Sequence, residues 1–142
     1  MGRVGIITAL ALTVLVAACG GGDDEAAVDG PAISIAESDL GNVLVDSEGM
    51  TLYLFTPDAQ GESTCFDECA ANWPPLTEFV SAGEGVDAAL LGTVERTDGT
   101  MQITYNGWPL YYFVNDAAAG DVNGQGLNDV WFAVDPAGDA VS

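Results

Sequence analysis

Hydrophobic and polar positions alternate in short runs, and past the first 18 residues no apolar stripe keeps a helical period for long. Ile33-Ser34-Ile35 reads as the start of a half-buried strand, and Asn42-Val43-Leu44-Val45-Asp46 as a second. Ser47-Glu48-Gly49 then turns the chain into Met50 to Phe55, which predicts a hairpin. The second half repeats the plan: Thr93 to Thr97, an Asp98-Gly99 turn, and Met101 to Tyr105. Asn106-Gly107 leads into Trp108 to Phe113, and Val130 to Val134 is a last strand before the Asp135-Pro136-Ala137-Gly138 turn. These signals predict an all-β domain, a small sandwich or barrel built from two similar β-hairpin repeats. Helix is expected only as short turns, at Cys65 to Asn72 around the cysteine pair and at Asp87 to Leu91.

The repeat is explicit. Tyr53-Leu54-Phe55-Thr56-Pro57-Asp58 and Tyr111-Tyr112-Phe113-Val114-Asn115-Asp116 both read Tyr-x-Phe-x-x-Asp, with their tyrosines at 53 and 111. The units are expected at about 42–76 and 93–138, two copies and not a long array. Alternation sends Tyr53 with Phe55, and Tyr111 with Phe113, to one face of each strand, where the rings bury and each phenol needs a partner. Asp58 and Asp116 fall beyond the strand ends and are expected as turn formers accepting from nearby N–H groups, not as catalytic acids.

The amino-terminal segment changes the address. Arg3, an apolar stretch from Val4 to Val16, and small residues at Ala17 and Ala18 form a signal too short to span a bilayer. Val16-Ala17-Ala18-Cys19 resembles the bacterial lipobox, which implies cleavage after residue 18 and a lipid on Cys19. Residues 19–32, rich in Gly, Asp, Glu and Ala, then read as a flexible tether, and 33–142 as the folded domain. An extracytoplasmic, membrane-anchored protein is the expectation.

Charge narrows the partners. The formal net charge is −20, from 22 acids against Arg3 and Arg96, and loss of the signal leaves Arg96 as the one basic side chain. Nucleic acid is excluded as a partner because phosphate binding needs clustered cations. Anionic head groups are excluded too, so membrane contact is expected through the lipid alone. Histidine is absent, which removes the commonest general base and transition-metal ligand. No lysine serves a Ser-Lys dyad, no Gly-x-Ser-x-Gly elbow occurs, and no carboxylate pair stands out among 22 acids, so no catalytic residues are assigned. The partner left is an envelope protein, a glycan or a small ligand. Trp73, Trp108 and Trp131 could line a sugar- or peptide-binding face, although core packing is the commoner use of Trp.

With Cys19 assigned to the lipid, Cys65 and Cys69 are expected to be oxidised together outside the cytoplasm. Two readings of the pair stand: a clip presenting Trp73 to the core, or a couple cycling between dithiol and disulfide. Copper-delivery proteins share Cys-x-x-x-Cys but add a histidine, and Asp67 and Glu68 would raise thiol pKa and blunt exchange. Asp121, Asn123, Gln125 and Asp129, around Gly124 and Gly126, partly imitate a calcium loop, but its twelfth position is Phe132 where a bidentate Glu is wanted. Weak calcium binding is the one cofactor these residues suggest, and a turn capped by its own side chains is the competing expectation.

Taken in order, these segments resemble the bacterial secreted-repeat lipoproteins, a family described by Tyr-x-aromatic-x-x-Asp and of unknown function. The likeness runs from about Asn42 to Gly138. It includes Gly49 to Phe55, Cys65 with Cys69 to Leu76, Arg96 to Gly99, Gln102 to Gly107, Pro109 to Phe113, Asp116, Gly120-Asp121, Gly124 to Gly126 and Trp131. Trp108 stands where relatives are expected to carry histidine. The resemblance implies an address and a scaffold, not a reaction.

Overall fold

The computed structural model describes residues 31–58 and 60–142. The expected signal segment, Cys19 as the expected lipid acceptor, and nearly all of the expected tether lie outside the described residues. The fold starts at Ala32, so the first strand opens one residue earlier than the sequence pattern suggests.

β1 (Ala32–Ser38) and β2 (Gly41–Val45) pair antiparallel, from Ser34↔Val45 to Ser38↔Gly41. The turn between them is held by Ser38, whose Oγ accepts from Leu40 N and donates to Gly41 O. β3 (Tyr53–Phe55) follows, then a short helix α1 (Glu68–Asn72) and β4 (Ser81–Ala82). A 3-10 turn at Ala88–Leu90, N-capped by Asp87, leads into β5 (Leu91–Glu95) and β6 (Met101–Tyr105). β7 (Trp108–Pro109), a 3-10 turn at Leu127–Asp129 and β8 (Trp131–Ala133) complete the chain. Strands dominate among the described residues, and helix forms at the two expected places and, unexpectedly, at the Leu127–Asp129 turn.

Among the described residues three small sheets form, none closed on itself: β2-β1-β4, β3-β8 and β5-β6-β7. The expected partner of β2 is only partly right. The 51–55 segment turns back on β2 through a Val45↔Thr51 bridge and Leu52 N donating to Leu44 O, but β3 takes β8 as its ladder partner. Tyr53–Phe55 and Trp131–Ala133 come from opposite ends of the duplicated region, so the two copies are crossed and not side by side.

Hydrogen bonds show how complete the crossing is. Tyr53 N donates to Tyr111 O at 2.9 Å, and Tyr111 N donates back to Tyr53 O at 3.0 Å. Leu44 N reaches Val134 O, and Ile103 N reaches Leu76 O, both at 2.8 Å. Each hairpin is thereby completed by the segment that follows the other copy's Tyr-x-Phe motif. An approximate two-fold axis runs between the two tyrosines.

Alternation on β3 feeds two cores. Leu52 and Leu54 join Ile33, Leu44, Leu76, Ile103, Leu110 and Val134 in an aliphatic cluster. Tyr53 and Phe55, on the opposite face, join Trp73, Tyr111, Phe113 and Trp131 in an aromatic one. A strand buried on both faces needs both alternate sets apolar, which explains why Leu-Tyr-Leu-Phe lacks a polar face.

Candidate functional site

The aromatic cluster lies on the two-fold axis. Trp73 and Trp131 stack in parallel, centroids 3.7 Å apart and planes 2° apart. Phe113 stacks on the outer face of Trp73 and Phe55 on that of Trp131, each at 4.2 Å, giving a pile of four rings. Tyr53 meets Trp73 edge-on at 5.4 Å, and Tyr111 meets Trp131 at 5.2 Å. Trp73 and Trp131 are 6% and 3% exposed, so they are interior packing and do not form a sugar-binding face. Gly124 is essential to this arrangement: a Cβ there would stand 2.7 Å from the Trp73 ring.

Both phenols reach across the axis. Tyr53 Oη donates to Asp116 Oδ2 at 2.6 Å, and Tyr111 Oη donates to Asp58 Oδ2 at 2.7 Å. The other carboxylate oxygen in each case does the turn work expected of it: Asp58 Oδ1 accepts from Thr64 N and Thr64 Oγ1, and Asp116 Oδ1 from Asn123 N. Asp58 and Asp116 are therefore more than turn formers. They are 1% and 6% exposed and tie each copy's tyrosine to the other copy's loop. Burial pushes the Asp58 carboxyl above its usual range, while the bonds from Thr64 and Tyr111 and the charge of Arg96 pull it back. Burial likewise holds the Tyr53 and Tyr111 phenols far above their ordinary value, and the bond to Asp116 or Asp58 adds to the shift. The aspartates hold these positions because a carboxylate accepts from a phenol and a turn N–H at once.

Around Asp58 the polar network extends through residues that the sequence pattern did not single out. Ser63 Oγ lies 2.8 Å from Tyr111 Oη and donates to Gln102 Oε1 at 2.6 Å. Arg96 Nη1 donates to both Ser63 Oγ and Gln102 Oε1 at 2.9 Å, and Nη2 to Cys65 O at 2.8 Å. Gln102 Nε2 closes the set on Leu110 O. The Arg96 guanidinium also sits 4.2 Å over the Phe66 ring and is only 4% exposed. Its one signal in the sequence is its isolation: after Arg3 it is the single basic residue of the chain.

The Cys65–Cys69 bridge is present, with Cα atoms 5.3 Å apart. Cys65 is fully buried against the aromatic cluster and Cys69 is part-buried, on α1. The helix ends with Trp73 N donating to Cys69 O, which sets Trp73 into the stack. The second copy has Asn123 at the place of Cys65, 58 residues on, and holds the segment by hydrogen bonds instead.

Three of the four calcium candidates are directed at separate backbone groups. Asp121 Oδ2 accepts from Ala117 N and Ala118 N, Asn123 Nδ2 faces Asn115 O at 3.5 Å, and Gln125 bonds Val141 O and Ala133 N. Asp129 takes a left-handed backbone at φ 60. Among the described residues no group of three His, Cys, Asp or Glu side chains converges to hold a metal. Millimolar calcium is expected to shift the melting temperature by less than about 1 °C, while Asp121→Ala, losing about 1 kcal/mol as for a cap, lowers it by the same several degrees (about 4–8 °C) with or without calcium. A calcium-dependent rise that Asp121→Ala removes would reverse this reading.

A family model described as a secreted repeat of unknown function matches the chain twice, over residues 34–77 and 92–135. The chain belongs to that family. The secreted-repeat match places the first unit eight residues earlier than the sequence pattern did, taking in most of β1, and the second at nearly the expected start. An extracytoplasmic location goes with membership. No curated protein and no solved structure matches the chain. No helix among the described residues is long and apolar enough to cross a membrane.

Proposed function

We propose that this secreted repeat is a non-catalytic binding or structural module of the cell envelope, tethered to the membrane by a lipid on Cys19. The observation that supports this most is the crossed pairing of Tyr53 with Asp116 and Tyr111 with Asp58, which engages the buried acids in holding the two copies together. Arg96 is likewise engaged with Ser63, Gln102 and the Cys65 carbonyl. Membrane contact runs through the lipid because a chain of net charge −20 is repelled by anionic head groups. Mass spectrometry of the membrane-extracted protein should find an amino terminus at Cys19 carrying diacylglycerol, and Cys19→Ala should release the protein from the membrane. Recovery of an intact, unacylated amino terminus would end the anchored reading.

The alternative reading is an envelope redox or metal-handling protein using Cys65 and Cys69, and the part-burial of Cys69 favours it. A five-residue loop gives a bridge a stabilisation of only about 2 kcal/mol by chain entropy, so stability alone is a thin explanation. As a structural clip the bridge is expected to have a potential below about −300 mV, with Cys65→Ala/Cys69→Ala still folded. Equilibration near about −270 mV or above would support exchange instead.

A further inference from the structure

The two-fold axis relates β1 to β5, and their outer edges are treated differently. On β1 the edge is covered by β4, which runs parallel to it through Ala32↔Ser81 and Ile33↔Ala82. Ser81 N donates to Pro31 O and Gly83 N to Ile33 O. The counterpart of β4 would come from residues near 139–141, 58 positions on. That segment turns back instead: Val134 pairs with Ala140, and Val141 N donates to Ala133 O. Among the described residues β5 therefore pairs only with β6 and forms the edge of its sheet.

The direction of the free backbone groups follows from the register. Ile103 sends its N–H to Leu76 and accepts from Leu110 N, both away from β5. Thr93, opposite Ile103, is thus in a non-hydrogen-bonded position and presents its own N–H and C=O outward. Beside this edge lies an open groove of about 190 Å³, lined by Phe79, Val80, Leu91, Gly92, Thr93 and Ile103. Phe79 is 70% exposed, the most exposed large apolar side chain among the described residues.

Charge chooses the occupant. Arg96 is the one basic residue in the described range and it is buried, so the domain surface offers acids alone. Two copies, each at −20, repel one another, and the chain's own acidic 20–30 segment is repelled in the same way. We propose that the outer edge of β5 binds an extended cationic peptide segment of a partner protein, which adds a strand at Thr93 and lays apolar side chains against Phe79. The mode is strand addition, with affinity from main-chain hydrogen bonds and steering from opposite charge. It rests on the reading of this chain as a binding module, and names the partner's chemistry.

The test uses the purified full chain and a set of fluorescent nonapeptides alternating Lys or Arg with Val, Ile or Leu. Binding is read by anisotropy, and protection of the Thr93 and Glu95 amides by hydrogen exchange. Thr93→Pro removes only an outward N–H, so it should keep the melting temperature within a few degrees while weakening binding by at least about tenfold. Phe79→Ala, at an exposed position, should weaken it several-fold and serves if Thr93→Pro does not fold. Peptides with Glu in place of Lys and Arg should not bind, and added salt should weaken the cationic ones. The proposal is overturned if no cationic peptide binds, if binding ignores both substitutions, or if Thr93→Pro instead abolishes a dimer, which would make a second copy the occupant. Lipid on Cys19 is measured separately, so an anchored structural module would survive any of these outcomes.

Discussion

Trp131→Ala is expected to cost about 3–5 kcal/mol, the range for truncating a large buried aromatic. Trp131 is 3% exposed and contacts Trp73, Phe55 and Tyr111 with its two faces and edge. Its removal leaves a void in the middle of a four-ring pile, bounded by rings that cannot all move inward together. For a domain of this size the loss corresponds to a fall in melting temperature of more than about 12 °C. Trp73→Ala should cost as much, since it is related to Trp131 by the two-fold axis. The informative quantity is the double variant. Because the indoles stack on one another, the second truncation enlarges an existing hole, and the combined loss should fall short of the sum by about 0.5–3 kcal/mol. Thermal and urea unfolding of the four proteins checks this. Strict additivity would mean that the two copies hold separate cores, and the crossed architecture would be wrong.

That architecture was legible in part. Tyr-x-Phe-x-x-Asp at 53 and 111 revealed the duplication, and Cys65 with Cys69 revealed the bridge, because both are local patterns. The Asp98-Gly99 turn placed the β5–β6 hairpin correctly for the same reason. What stayed hidden was which copy each side chain would meet. Tyr53 and Asp116 are 63 residues apart, and nothing local distinguishes Asp58 from Asp116 as the partner of Tyr53. Trp73 and Trp131 share the 58-residue offset of the tyrosines, as do Leu76 and Val134, so the duplication could have been traced further along the chain. The Ser63–Arg96–Gln102 network had one sequence signal, the isolation of Arg96, and its other members are ordinary polar residues until the fold buries them.

Strong alkali should unfold the protein in a single step that releases three phenolates at once. Burial is the largest reason that the Tyr53, Tyr111 and Tyr112 phenols titrate far above their ordinary value, and hydrogen bonds to Asp116, Asp58 and Asp46 add to it. A raised folded-state pKa means that the folded chain favours the neutral phenol. The associated stability is complete below the unfolded value of about 10 and is lost as pH climbs toward the folded value. Below pH 10 these tyrosines therefore cause no pH dependence. Above it, each draws the equilibrium toward the unfolded chain, where the phenol ionises freely. Absorbance near 295 nm should stay low to more than about one pH unit above 10 and then rise cooperatively with loss of circular dichroism. Tyr53→Phe and Tyr111→Phe should each remove one phenolate from that step. Gradual, independent ionisation near pH 10 with the fold intact would show that Tyr53 and Tyr111 are not sealed against the carboxylates of the opposite copy.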